Sequence, residues 1–585
     1  MARLHGGEMV ARVLRDVGVR ELFTLQGGHI DPILEACDRF GFRIIDTRHE
    51  QAAAHMAEGW ARTTGRLGVC AVTAGPGITD AITGIANAYL DAVPMLVLAG
   101  RSPLADEDLL PLQGMPQLEM VRPITKWART VYQAPRIAEY VAMAVRQATT
   151  GRPGPVYLEV PIDVLFASVE EEQVAWPAGY LPEHPPAPRP EAVEAALEML
   201  QRAERPVVLA GGGVWFAGAA DELRQFAEIT QTPVFMNPKA RGCVPEDTPL
   251  GYGGFGLFSS SRVQREAGPP DLVMLMGARP GLFTGGRRSV IPAEAKVIQV
   301  DIEGEEIGRG RPVDLGIQGD CREVLRQLVA GARSRRWPDR SHWLRTLDEA
   351  RRSRQRAFPE ALQQETPPIH PFRLAHELAQ RLGPEDVVVA DGGEAAEWIA
   401  AAATMRLPGR FLGHGYLGCL GTGLPFAMAA KLARPEARVL LVTGDGSVGL
   451  NFAEFETAVR HRLPFVCVIF NDKAWGMSRH AQQILFQGRT IASELGLVHY
   501  ERAAAGFGCH GELIERPQEI GPALERAFAT GLPACLNVLI DPEVVSPVTL
   551  SLMGLSAKAQ REKEKAEEEG KTTLPYYGQR ELQER

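Results

Sequence analysis

The stretch Val439-Leu-Leu-Val-Thr-Gly-Asp-Gly-Ser447 is an apolar, β-branched run that breaks into a glycine turn. After a helical stretch to Leu463, Pro464 introduces a second apolar run, Phe465-Val-Cys-Val-Ile-Phe-Asn-Asp472. Runs of this length read as buried strands, and a helical pattern between two of them reads as a parallel crossover unit. The turn predicts more than a connection. Glycines on either side of Asp445 let backbone approach a phosphate closely, and the helix that follows presents free N–H groups. Asp445 and Asp472, 27 residues apart, would then stand at neighbouring strand ends, where two oxygen ligands can hold a hard cation against a diphosphate.

The same plan occurs near the amino terminus. A strand ending in Ala71-Val-Thr-Ala-Gly-Pro-Gly77 opens a helical stretch, and after Pro94 a second strand runs from Met95 to Ala99. The glycine-to-proline spacing is 19 residues there (75 to 94) and 20 in the later block (444 to 464), so two halves built alike are expected to share a site. Between them, the strand Pro206–Leu209 leads into Ala210-Gly-Gly-Gly213, and another strand ends in an acid, Val297-Ile-Gln-Val-Asp301. A glycine turn plus an acid at a strand end is how a Rossmann-like domain holds an adenosine group, although no full Gly-x-Gly-x-x-Gly is present. Two segments rich in proline and charge, Ala178–Pro190 and the Arg-rich Ala332–Pro367, read as linkers.

The expected architecture is therefore α/β, with three doubly wound parallel-sheet domains. These are an amino-terminal domain at 1–180, a central Rossmann-like domain at 190–340 and a third domain at 365–550, followed by a charged tail at 551–585. A hydrophobic fraction of 45% in 585 residues is ample for such cores. With 63 Lys and Arg against 72 Asp and Glu, the net charge of −9 favours neither nucleic acid nor an anionic membrane. No run approaches the roughly 18 apolar residues of a membrane span, and Met1–Gly7 lacks a basic region followed by an apolar one, so a cytoplasmic protein is expected. The eight cysteines (37, 70, 243, 321, 419, 467, 509, 535) form no Cys-x-x-Cys pair and read as reduced core residues.

With Gly444-Asp-Gly-Ser447 and Asn471-Asp472 in this context, the chain resembles the thiamine-diphosphate enzymes of the acetolactate synthase and pyruvate oxidase type over nearly all of residues 1–550. Gly6-Gly7-Glu8, Leu25-Gln-Gly-Gly-His29, Ile45-Asp-Thr-Arg-His-Glu50, Lys126-Trp127, His414-Gly-Tyr-Leu-Gly418 and Gly444-Asp-Gly-Ser-Val-Gly449 look like benzaldehyde lyase. Phe23-Thr-Leu-Gln-Gly-Gly-His-Ile30, Pro161-Ile-Asp-Val-Leu165 and Asn471-Asp472 look more like the 2-hydroxyacyl-CoA lyases.

The resemblance implies thiamine diphosphate and Mg2+ as cofactors, with ADP or CoA as candidates for the central domain. It implies Glu50 at the aminopyrimidine N1′, Leu420 as the apolar wedge beneath the bent cofactor, and His29 and Gln113 as proton-relaying and oxygen-holding groups above C2. Gly393, Glu394, His414, Gly444, Gly446, Ser447, Trp475 and Gly476 would line the cofactor, while Asp445, Asp472 and the Ala474 carbonyl would bind the metal. The implied activity is a carbon–carbon lyase, or carboligase in reverse, acting through a cofactor-bound carbanion on a small carbonyl or acyl-CoA substrate. The active site would be shared between subunits of a homodimer at least, or a homotetramer.

Ile162 replaces a tryptophan and Gln26 a histidine of benzaldehyde lyase, which tilts the reading toward 2-hydroxyacyl-CoA cleavage, with a tail carrying Tyr576 and Tyr577 as a candidate lid. A benzaldehyde lyase, an acetolactate synthase or 2-oxo acid decarboxylase, and a non-catalytic homologue are the alternatives.

Overall fold

The computed structural model describes residues 3–182, 184–254, 267–281, 291–355 and 358–554. The tail residues 555–585, where the lid was expected, lie outside the described residues. Among the described residues, three six-stranded sheets form the framework, every pairing inside them is parallel, and Arg3–Leu4 and Val169–Glu170 add a short antiparallel pair.

The first sheet comprises β1 (Glu21–Leu25), β2 (Arg43–Asp46), β3 (Gly68–Val72), β4 (Met95–Arg101), β5 (Trp127–Thr130) and β6 (Pro155–Pro161), in the spatial order β2-β1-β3-β4-β6-β5. The second comprises β7 (Pro206–Ala210), β8 (Val234–Met236), β9 (Gly251–Gly253), β10 (Leu272–Met276), β11 (Lys296–Asp301) and β12 (Leu315–Gln318), ordered β9-β8-β7-β10-β11-β12. The third comprises β13 (Val387–Ala390), β14 (Phe411–Gly413), β15 (Val439–Gly444), β16 (Val466–Asn471), β17 (His510–Ile514) and β18 (Ala534–Leu539), ordered β14-β13-β15-β16-β18-β17.

Counted within each domain, the first and third sheets share the order 2-1-3-4-6-5, so the similarity of plan in the sequence is a similarity of topology. The second has the order 3-2-1-4-5-6, which is that of a Rossmann fold. In both outer sheets the turn singled out in the sequence leaves the carboxyl end of the third strand of its domain, β3 or β15, at the edge where open parallel sheets bind ligands.

Two helices join the outer domains. Helix α1 (Glu50–Thr64) is capped by His49, whose Nδ1 accepts the Gln51 N–H at 3.1 Å, and it ends at Gly65 in the left-handed region (φ 73°). It packs beside α2 (Pro76–Asp91) and against α3 (Gly423–Ala433) of the third domain. Gly59 permits that crossing, since a Cβ there would lie 2.9 Å from the Phe426 ring. Phe426 is fully buried, meets His55 edge-on at 5.9 Å and carries the Arg62 guanidinium over its face at 5.2 Å. One apolar core therefore runs from Phe23 and Trp60 through α1 and α3 to Leu441 and Phe455.

One sequence expectation changes. Part of the Arg-rich segment expected as a linker is the helix Ser341–Gln355, and its Trp343, Leu347 and Ala350 are buried in the central domain's core. Arg345 and Arg352 are exposed on its other faces, so a partly solvated helix was read as a loop. All eight cysteines are free and buried.

Candidate functional site

Around the turn after β15, the third domain closes a cavity of about 360 Å³. Gly393, Glu394, His414, Leu420, Gly444, Asp445, Gly446, Ser447, Asp472, Ala474, Trp475 and Gly476 all line it. Every residue expected at the diphosphate and metal thus meets in one place. A Cβ on Gly444 would meet nothing within 4 Å, so the turn faces open space, whereas one on Gly446 would strike the Trp475 ring at 2.6 Å.

Asp391 organises this wall. Its Oδ1 accepts the N–H groups of Gly392 at 2.7 Å and Gly421 at 3.2 Å, and its Oδ2 accepts Gly423 N–H and Thr443 Oγ1–H, both at 3.2 Å. Ser447 Oγ also accepts the Gly421 N–H, at 2.9 Å, which fixes the loop carrying Leu420.

Asp445 and Asp472 are 2% and 9% exposed, and Asp445 Oδ2 has no hydrogen-bond partner among the described residues. Burial and then the charge of Asp472 push the Asp445 carboxyl up to about 8, and burial likewise raises Asp472 despite Arg479 at 3.6 Å. Two buried carboxylates whose charges repel each other are the donor set a hard divalent cation would relieve, with Ala474 on the same wall. His414 Nδ1 is a second orphaned buried atom of this region, and burial lowers its pKa. The residues present fit a magnesium diphosphate.

Glu394 does more than line the cavity. Its Oε2 pairs with His480 Nδ1 at 3.1 Å, while Oε1 accepts Thr549 Oγ1–H at 2.5 Å and Ser546 N–H at 3.2 Å. It thus ties the segment around 546–549 to the cavity rim.

Glu50, His29 and Gln113 lie in the first domain, and none of them lines this cavity. His29, in the 3-10 turn Gly28–Ile30, places Nδ1 3.3 Å from Thr73 Oγ1. Gln113 sits at φ 61° in an exposed loop, and a Cβ on Gly75, itself at φ 66°, would come 2.8 Å from the Gln113 Cβ. Both therefore border the turn after β3. Buried Gln117 holds that turn by accepting the Gly75 N–H at 3.1 Å and donating to the Gly100 carbonyl at 2.7 Å and to Glu159 at 2.9 Å. Glu50 is 7% exposed at the start of α1, and burial raises its pKa. Burial lowers that of His29.

Sequence reading missed Asp391, Gln117 and a buried ionic cluster between the three domains. In that cluster Arg62 pairs with Glu58 and Asp91 and donates to the Gly413 carbonyl at 2.8 Å, and Lys239 Nζ lies 3.1 Å from Asp91 Oδ1. Only spacing along α1 (Glu58 and Arg62 at i, i+4) hinted at it.

A second cavity, of about 390 Å³, opens in the central domain beside Gly212, Gly213, Arg152, Arg279, Asp301 and Asp320. A third, of about 160 Å³, shares Asp91, Asn237, Lys239 and Tyr416 with it and shares Glu397 and His414 with the Asp445 cavity. The third therefore lies between the other two and shares wall residues with each. No described helix is long and apolar enough to cross a membrane.

Models of the thiamine pyrophosphate enzymes match the chain three times: the N-terminal TPP binding domain at residues 4–122, the central domain at 193–328 and the C-terminal TPP binding domain at 391–538. A probable acetolactate synthase of Mycobacterium bovis is 36% identical over 93% of this chain and 97% of its own length. The 2-hydroxyacyl-CoA lyase 2 of Bos taurus is 34% identical over 92% of this chain and 90% of its own, and the human one is 33% identical over the same shares. With the diphosphate-sized cavity, the paired acids and the repeated topology, these matches show that the chain belongs to the thiamine pyrophosphate enzyme family.

Proposed function

We propose that the protein is a magnesium-dependent carbon–carbon lyase, running as a carboligase in reverse, whose substrate is a 2-hydroxyacyl-CoA thioester. The observation that carries this reading is the third cavity between them, which shares Glu397 and His414 with the Asp445 cavity and Asp91, Asn237, Lys239 and Tyr416 with the central-domain cavity. Asp301 at the end of β11 and the turn at Gly212 suit an adenosine, and Arg152 and Arg279 suit its phosphates, so ADP or the nucleotide end of CoA is the ligand proposed there.

When bound, thiamine diphosphate supplies an electron sink for the pair released as the carbonyl carbon parts from its neighbour. The chain's residues do the rest. Asp445, Asp472 and the Ala474 carbonyl would hold magnesium, and the Gly444–Ser447 turn, with Gly393, Glu394, His414, Trp475 and Gly476, would hold the diphosphate. Leu420 would supply apolar support for the cofactor, and Glu50, protonated more readily than a solvated glutamate, would exchange a proton with its aminopyrimidine. His29, kept neutral by burial, takes the proton from the substrate hydroxyl, and Gln113 donates to the carbonyl oxygen. Cleavage then yields an aldehyde, and the proton taken by His29 returns to the carbonyl carbon to complete formyl-CoA.

Because Glu50, His29 and Gln113 do not line their own chain's cavity, we assign them to the cavity of a second copy, in a homodimer at minimum and a homotetramer in the fuller reading. The loop beside Gln113 exposes Leu109, Leu110 and Leu112 at 71%, 95% and 83%, apolar surface that a second copy would cover. The domain limits proposed with this reading are 1–180, 190–340, 365–550 and a tail at 551–585.

The second reading, acetolactate synthase, is favoured by the 36% identity to the mycobacterial relative of that name. The test supplies the holoprotein separately with a 2-hydroxyacyl-CoA, with pyruvate and with benzoin. Aldehyde plus formyl-CoA from the first supports the proposal. Carbon dioxide and acetolactate from pyruvate alone, or benzaldehyde from benzoin alone, replaces it.

A further inference from the structure

Glu454 is 1% exposed, and none of the roles above uses it. It opens helix α4 (Glu454–Arg460), on the same run of helical turns that starts at Asp445. Its carboxylate points out of the third domain toward the turn between β2 and α1. Oε1 accepts the Arg48 backbone N–H at 3.0 Å, and Oε2 accepts Thr457 Oγ1–H at 2.7 Å. Burial pushes this carboxyl up to about 7, while the Thr457 hydroxyl and the backbone N–H groups of Arg48 and His49 pull the other way. The residue after those two amides is Glu50.

We propose that Glu454 is a positioning residue for Glu50: it fixes the Arg48–His49 turn, and through it the first residue of α1, from across the domain boundary. The inference rests on Glu50 exchanging a proton with the cofactor, as proposed above.

The surroundings single out Glu454 among the contacts of this interface. Arg460 donates to the Asp46 carbonyl at 2.8 Å, His461 lies 2.9 Å from the Asp46 carboxylate, and Arg48 stands 3.9 Å from Glu456. All of these touch solvent, where an ion pair contributes little. They fasten the edges of the turn. Among these, Glu454 alone accepts a backbone amide, that of Arg48 two residues before Glu50, and a carboxylate holding an amide out of water is the stronger and more directional contact. On the other side, Thr47 Oγ1–H donates to the His49 carbonyl at 2.8 Å, so the turn leading into Glu50 is held at both of its peptides. A glutamate that must meet one ring nitrogen needs such a hold, because an error of about 1 Å in a reacting group costs on the order of 100-fold in rate.

The test compares Glu454→Ala, Glu454→Gln and Glu50→Gln as full-length holoproteins with thiamine diphosphate and magnesium. Three quantities are read: amide hydrogen exchange of the segment containing Arg48 and His49, hydrogen–deuterium exchange at C2 of the bound cofactor, and cofactor affinity. In Glu454→Ala the amides should exchange at least about 10-fold faster and C2 exchange should fall at least about 10-fold, with affinity within about 3-fold of wild type. Glu454→Gln keeps an oxygen acceptor and should restore both rates to within about 3-fold of wild type. If the alanine variant does not fold, Glu454→Asp takes its place: its acceptor is drawn back by a methylene, and both rates should change in the same directions as for alanine. Wild-type amide protection and C2 exchange in Glu454→Ala would overturn the inference, as would a glutamine variant as impaired as Glu50→Gln. Wild-type C2 exchange in Glu50→Gln would instead remove the role of Glu50 itself, whatever Glu454 does to the amides.

Discussion

Replacing Asp91 by asparagine should loosen the joint between the three domains, with a pH dependence that the ionic cluster dictates. Asp91 is 3% exposed at the end of α2. It receives Arg62, Lys239 Nζ at 3.1 Å and the Tyr416 N–H at 3.4 Å, while Lys239 also donates to the Asp91 carbonyl at 2.8 Å. Burial opposes its charge, but Lys239 and Arg62 together hold the carboxyl well below the usual range. Burial brings Lys239 down to about 8, with Asp91 as the opposing influence.

Removing one partner of a buried pair typically costs about 3–5 kcal/mol. Asparagine keeps the shape and an acceptor for Tyr416, and Arg62 keeps Glu58, which puts the loss near the lower end, about 3 kcal/mol at pH 7. Part of it belongs to Lys239. An amine with a folded pKa of about 8 gains about 1.4 kcal/mol from its proton at pH 7 relative to the neutral form, and almost nothing at pH 9. Without the carboxylate its pKa falls further and that gain disappears.

The sign follows from the lowered pKa. Charging Lys239 in the fold is unfavourable relative to the unfolded chain, so its contribution to stability is full above the unfolded pKa and declines as pH falls through 8. In the variant the decline begins at the same unfolded pKa but continues to lower pH, because the folded pKa of Lys239 is lower still. The deficit of Asp91→Asn should thus shrink by about 1.4 kcal/mol between pH 7 and pH 9. Urea unfolding followed by tryptophan fluorescence reads this directly, since Trp215 Nε1–H donates to the Arg62 carbonyl at 2.9 Å within the joint. A deficit below about 1 kcal/mol at pH 7, or one that grows toward pH 9, would refute the reasoning.

Glu50→Gln should keep the fold and cofactor affinity yet lose most turnover, because an amide cannot exchange a proton as a carboxyl does; C2 exchange in the bound cofactor is the measurement, and wild-type rates there count against it. Asp445→Ala should abolish the thermal stabilisation that thiamine diphosphate plus magnesium confers, which calorimetry with and without both ligands will read. Phe426→Ala empties a fully buried ring position between α1 and α3 and should cost about 3–5 kcal/mol in chemical denaturation, against less than about 1.5 kcal/mol for the better-filling Phe426→Met.

The parts of the fold that were legible are those whose signals are contiguous. The apolar run Val439–Thr443, the turn Gly444–Ser447 and the run from Phe465 each carry their own strand or turn chemistry, and the structure makes them β15, the turn and β16 with boundaries shifted by a residue. The matching plan near Ala71–Gly77 was readable for the same reason, and its topology repeats strand for strand. What escaped depends on partners remote in sequence. Nothing around Asp391 marks it as the acceptor for amides at 421 and 423 and for the Thr443 hydroxyl. Nor does Asp91 predict Lys239 148 residues away. The Arg-rich segment misled because charge outnumbers apolar residues there, and three of the latter, Trp343, Leu347 and Ala350, suffice to bury one face.

Glu50 shows the limit most clearly, because Thr47-Arg-His-Glu50 read alone is a polar surface turn. Its position is fixed partly from outside its own domain: Glu454 accepts the Arg48 amide two residues before it, and the long core through α1 and α3 fixes the helix it begins. The residues that would meet the cofactor's diphosphate were visible because a glycine turn builds its site locally. The residue that would meet its other ring is a product of packing between domains. Local pattern therefore identifies the phosphate end of such a site before the proton-exchanging end, and the second becomes readable only when the interface that positions it is known.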